Sequence, residues 1–134
     1  MSSPKTLPDF LFKQAVDVSA CGIIITTGAA EEHSIIYANP YFQALTGYSE
    51  SEIIGKNCSF LQGPDSDSKV IRQINLALKS GKVFEGVILN YRKDGSTFWN
   101  QLILSPIKDP AGTPIFYIGI QKEITECVEA TAGR

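Results

Sequence analysis

Residues 82–125 read KVFEGVILNYR, KDGS, TFWNQLILSPIK, DPAGTP and IFYIGIQKEIT. Three runs rich in β-branched and aromatic residues are separated by two short segments, one holding Asp-Gly and the other Pro-Ala-Gly, the residues that tight hairpin turns require. The reading is three consecutive antiparallel strands. Upstream, Gly22 opens IIITT, and IIYA follows at 35–38 after the polar connector AAEEHS, which adds a two-strand hairpin.

Between the two strand blocks lie short helical pieces, each with start and stop signals. They are PYFQAL before Gly47, SESEII before Gly55 with a capping box from Ser49 to Glu52, the Cys58 segment, and SDSKVIRQINLALKS before Gly81. LPDFLFKQAVDVS at 7–19 carries Leu7, Phe10, Leu11 and Gln14 at helical spacing and is expected to form a flanking helix. Strands and helices come in blocks rather than as β-α-β units, so the fold class is α+β. The expected division is a flanking segment at 1–21, a core at 22–125 and a short tail at 126–134.

A chain of 134 residues with 43% apolar content suits one domain with a real core. Its formal charge of -2, from 12 basic and 14 acidic residues, argues against a general nucleic-acid or membrane-surface binder. Cys21, Cys58 and Cys127 are odd in number and lack C-x-x-C spacing, so neither a disulfide framework nor a zinc site is expected. With no signal-peptide pattern and no apolar run of roughly 20 residues, a cytoplasmic protein is expected.

Strand residues of equal parity share a face. One face collects Ile88 and Asn90; Phe98, Asn100, Leu102 and Leu104; and Tyr117, Gly119 and Gln121. Covered by helices, it would form an apolar cavity with three amides, approached closely at Gly119. Cys58, Leu61 and Gln62, at i, i+3 and i+4 of a helical turn, would form a second wall. Amides at Gln62, Asn90, Asn100 and Gln121 suit a flat heterocycle with alternating carbonyl and N–H groups. The opposite face, with Val87, Leu89, Tyr91, Trp99, Ile103, Phe116, Ile118 and Ile120, is also apolar, and either the N-terminal helix or a partner should cover it.

Cys58 has no catalytic partner nearby in sequence, and the only histidine, His33, is distant. Either it is an ordinary small buried residue, or something other than a protein base activates it.

GKNCSFLQGPDSD at 55–67 resembles GxNCRFLQGxxTD, the signature of the light-oxygen-voltage (LOV) domain, a flavin-binding branch of the PAS superfamily. NYRKDGSTFWN at 90–100 and FYIGIQ at 116–121 resemble that family's strand motifs, and the similarity spans about residues 22–124. It implies a PAS fold: a five-stranded antiparallel sheet with helices covering one face and holding a flavin, usually FMN, non-covalently. It implies a blue-light photoreceptor of the short LOV type, not an enzyme, in which the excited flavin takes the Cys58 proton and forms a reversible bond from its C4a carbon to the sulfur. By the same resemblance Asn90 and Asn100 hold the pyrimidine edge, Gln121 sits near N5 and O4, and Gln62 and Asn57 lie near the ribityl chain. Ile24, Thr26, Leu61, Leu102, Leu104 and Gly119 then line the ring pocket.

Two positions depart from the pattern. Ser59 and Asn75 stand where the family carries phosphate-binding arginines, and neither copies a bidentate guanidinium contact. Arg72, and more weakly Lys69, are the substitute candidates, and the pocket is expected to accept riboflavin as well as FMN. A homodimer through the apolar sheet face and terminal helices is expected, with signalling to a separate downstream effector protein. The competing readings are a light-insensitive PAS ligand or interaction module and a thiol enzyme with Cys58 as nucleophile.

Overall fold

A computed structural model describes residues 9–18 and 20–125. The elements are α1 (Asp9–Asp17), β1 (Gly22–Thr27), β2 (Ile35–Ala38), α2 (Pro40–Thr46), α3 (Glu50–Ile53), α4 (Ser68–Ser80), β3 (Phe84–Tyr91), β4 (Thr97–Lys108) and β5 (Pro114–Glu123). The strands form one antiparallel sheet in the order β2-β1-β5-β4-β3. The first hairpin therefore joins the last strand, pairing β1 with β5 from Gly22↔Gln121 to Thr27↔Phe116. This is the expected α+β, PAS-type architecture.

Two connectors differ from their expected form. AAEEHS winds into a 3-10 turn at Ala29–Glu31, then Glu32 and His33 take left-handed backbone angles, φ 62 and 52, which fold the chain back on itself. The Cys58 segment forms successive tight turns instead of a helix: Phe60 N–H donates to Asn57 C=O at 3.1 Å, and Gln62 N–H donates to Ser59 C=O at 3.0 Å. Asn57 favours these turns over a helix, because its side-chain oxygen accepts from both Ser59 N–H and Ser59 Oγ.

Asn39, fully buried, ties the entry of the core together. Its Oδ1 accepts from Ile23 N–H at 2.8 Å and caps α2 through Phe42 N–H at 3.1 Å, while its Nδ2 donates to the carbonyls of Val16 and Cys21. At α3, the Glu52 carboxylate accepts from Ser49 N–H and pairs with Lys93 at 2.6 Å. The hydrogen bond from Lys93 brings Glu52 down to about 2.

Among the described residues, α2, α3 and α4 pack on the inner sheet face. Phe42, Leu45, Ile53 and Leu61 pack with Ile24, Ile35 and Phe98, and Ile74, Ala77 and Leu78 of α4 pack with Phe84, Ile88, Leu102, Leu104 and Tyr117. The Tyr117 hydroxyl donates to the Leu78 carbonyl at 3.0 Å, fixing the end of α4 against β5. Cys58 packs against both clusters.

The outer face keeps the apolar residues expected there, with Val87 38% and Phe116 36% exposed. α1 is held through Val16 to Asn39 and through Asp17 to the Tyr37 hydroxyl of β2, with Phe10 and, just past the helix, Val18 exposed. The tail at 126–134, with Cys127, lies outside the described residues. Among the described residues, no helix is long and apolar enough to cross a membrane.

Candidate functional site

A cavity of about 190 Å³ lies between the Cys58 turns, α4 and the inner face of the sheet. Alternation along β3, β4 and β5 sends Ile88 and Asn90, Asn100, Leu102 and Leu104, and Gln121 into it. Ile24 of β1 completes the sheet side; Asn57, Cys58, Leu61 and Gln62 supply the loop side; Ile74, Asn75, Leu78 and Lys79 supply α4.

The three strand amides form one buried cluster. Asn100 Nδ2 donates to Asn90 Oδ1 at 2.9 Å and to Gln121 Oε1 at 3.3 Å, and Asn90 Nδ2 donates to the Leu61 carbonyl at 3.3 Å. Asn100 Oδ1 and Gln121 Nε2 are buried without a partner among the described residues. An unmatched acceptor and an unmatched donor on one wall are costly unless a ligand meets both, which requires a molecule edged with N–H and C=O groups. A flavin ring carries that edge, so the amide set fits it.

Cys58 is half-buried, and its N–H donates to the His33 carbonyl at 3.2 Å. Burial pushes its thiol up to about 11. Such a thiol stays protonated near neutral pH and is a poor dark nucleophile. His33 lines the same cavity, with its ring edge-on to Tyr117 at 5.5 Å and its Nδ1 buried and unpartnered. Burial lowers its pKa below the usual 6.5. No Asp or Glu lines the cavity, so an imidazole-carboxylate relay to Cys58 is absent among the described residues.

Of the residues singled out from the sequence, Ile24, Asn57, Cys58, Leu61, Gln62, Asn75, Asn90, Asn100, Leu102, Leu104 and Gln121 share this cavity. Three do not line it. Thr26 is buried, but its hydroxyl turns to the Thr27 carbonyl where the β1–β2 register shifts. Gly119 lies beneath the floor: a Cβ there would stand 2.9 Å from Ile24 Cγ1 and 3.2 Å from Leu104 Cδ2. Arg72 is exposed on α4, seven residues before Lys79 and hence about 10 Å further back along the axis.

Ala29, His33, Phe42, Ile74, Leu78 and Lys79 also line the cavity, beyond the expected set. The apolar i, i+4 pair Ile74 and Leu78 was legible as the buried stripe of α4, and Lys79 follows from Asn75 by the same spacing. Nothing local marked His33, because its position depends on the left-handed fold-back.

A family model described as a PAS domain matches residues 20–126. Phototropin-2 of Oryza sativa subsp. japonica is 42% identical over 111 residues, covering 83% of this chain and 12% of the relative. A blue-light-activated histidine kinase of Brucella anthropi is 43% identical over 114 residues, covering 85% of this chain and 23% of the relative. The chain thus spans less than a quarter of these two proteins. A light-oxygen-voltage domain solved in a flavin-analogue study of that domain's mechanism superposes with a TM-score of 0.81 at 37% identity, covering 92% of both chains.

Proposed function

Because the chain belongs to the PAS domain family and, within it, to the light-oxygen-voltage domains, we propose that it is a blue-light sensor that holds a flavin between Cys58 and the strand amides. The observation that carries this reading is the pairing, in one cavity, of a protonated thiol with an unmatched Asn100 acceptor and an unmatched Gln121 donor. A bound flavin would supply blue absorption, an acceptor for the thiol proton at N5 and an electrophilic C4a carbon.

The protein's part is to bind, orient and exclude water. Asn90 and Asn100 would offer hydrogen-bonding groups to the polar edge of the ring, Leu61, Leu102 and Leu104 would supply apolar contacts, and Cys58 would hold its proton until illumination. Cys58 would supply both the sulfur and the proton for that light-driven, reversible chemistry, and its thiol would be restored in darkness. Gln121, whose Oε1 is already engaged by Asn100, reports the proton change to β5 by turning its amide. FMN is the proposed flavin, with riboflavin accepted because Ser59 and Asn75 offer no guanidinium.

Output is proposed to run through a second copy of the chain across the outer sheet face, where Val87 and Phe116 are exposed beside half-buried Trp99, Ile118 and Ile120. A ligand affects such a pairing only if the two states bind the partner with different affinity.

Cys58→Ala tests the reading. The variant should retain flavin and fluoresce under blue light without the reversible bleaching of the unaltered protein. Full reversible bleaching in Cys58→Ala would remove Cys58 from the chemistry.

A further inference from the structure

The cavity has a buried end and an open one. Asn90, Asn100 and Gln121 line it from buried positions, whereas Asn57, Asn75 and Lys79 line it from exposed ones and therefore stand at its mouth. Among the described residues, Lys79 is the only Lys or Arg in that lining, and no carboxylate accompanies it. Nor does Lys79 form an ion pair among the described residues. An ammonium at the lip of a cavity free of carboxylates attracts an anionic group on whatever enters.

Resting on the flavin reading above, we propose that Lys79 is the phosphate-recognising residue of this chain, and that it makes the cavity prefer FMN to riboflavin through one salt-sensitive charge contact. Ser59 also lines the cavity, but its hydroxyl proton is already engaged, donating to Asn57 Oδ1 at 2.6 Å. Asn75, one helical turn before Lys79 on the same side of α4, adds a neutral amide donor. Arg72 and Lys69 are absent from the cavity lining, so the cation comes from the last turn of the helix.

An ammonium on a flexible exposed stem acts as a point charge, unlike the rigid fork of a guanidinium. Its contact with phosphate is therefore modest and screened by salt. At low ionic strength the flavin-free protein is expected to bind FMN about fivefold more tightly than riboflavin, the ratio falling towards one in about 1 M salt.

Fluorescence-quenching titrations of flavin-free protein with each flavin, at low and high salt, test this directly. Lys79→Ala is expected to bring the low-salt ratio to about one, Lys79→Arg to keep it, and Arg72→Ala to leave it as in the unaltered protein. A ratio that survives Lys79→Ala, or that ignores salt, would overturn the assignment while leaving the flavin reading intact. Failure of both flavins to bind the unaltered protein would instead remove the flavin reading, and this assignment with it.

Discussion

The backbone N–H of Cys58 donates to the carbonyl oxygen of His33 at 3.2 Å, so the thiol of the cavity wall is anchored to the residue that supplies its imidazole. The two are neighbours without being a thiol-base pair. Burial raises the thiol and lowers the imidazole, which leaves both neutral near pH 7. The part of the wall that these two form is thereby uncharged.

His33 should make the protein acid-sensitive. Its folded pKa lies below the ordinary 6.5, so its contribution to stability is fully present above 6.5 and is lost as pH falls below that value. Around the ring stand Tyr117, edge-on, with Cys58 and Lys79 on the same cavity lining, and among the described residues no carboxylate lines the cavity to retain the proton. His33→Asn keeps a residue that tolerates left-handed backbone. Its thermal midpoint is expected to fall less steeply than that of the unaltered protein from about pH 6.5 down to about 5, at equal flavin loading. Equal slopes would contradict the assignment.

The Cys58 thiol should be slow in the dark. Held at about 11 against an ordinary 9.0, it carries about 100-fold less thiolate near neutral pH than in the unfolded chain. Peptide-resolved alkylation should therefore label folded Cys58 at no more than about 1% of the denatured rate. Labelling at the denatured rate would show that the thiol is activated without light. The same shift stabilises the fold fully below pH 9.0, and that contribution is lost as pH rises towards 11.

Asn100→Ala removes the donor that reaches Asn90 Oδ1 and Gln121 Oε1 inside the cavity. Buried acceptors left unpaired cost about 1–3 kcal/mol, which urea unfolding should register. Gln101→Ala, on the exposed outer face, should stay within about 0.5 kcal/mol of the unaltered protein. Equal losses in the two variants would mean that the amide cluster contributes nothing.

Gly63→Ala should destabilise by about 1–3 kcal/mol, because overpacking forces neighbours out of place. A Cβ there would stand 2.3 Å from Tyr91 Cε1, and Tyr91 is held in place as its hydroxyl accepts from Asp65 N–H at 2.9 Å. Tyr91→Ala in the same chain should relieve part of that loss, giving a coupling energy in a double-mutant cycle. Strictly additive effects would contradict the clash.

The strands and their faces were legible because the period-2 pattern of Phe98, Asn100, Leu102 and Leu104 is a local property of the chain. The capping of α3 was legible for the same reason, since Ser49 and Glu52 lie three residues apart. His33 was not: two successive left-handed residues bring it to Cys58, and neither Glu32 nor His33 advertises that conformation. That Lys79 and not Arg72 borders the cavity was hidden as well, because helical spacing gives the side of α4 but not which of its turns borders the opening. The hub role of Asn39 was hidden too, since its four partners lie on three separate segments. In each miss, what decides is a contact between residues far apart in sequence.

The absorption spectrum of the purified protein, taken in darkness, under blue light and during return to darkness, tests the central claim most directly. The expected result is a structured flavin band in the blue that bleaches on illumination and recovers fully in the dark. A flavin band that does not bleach, or a protein that carries no flavin and takes up none when offered it, would contradict the claim that this cavity is a light-driven thiol-flavin switch.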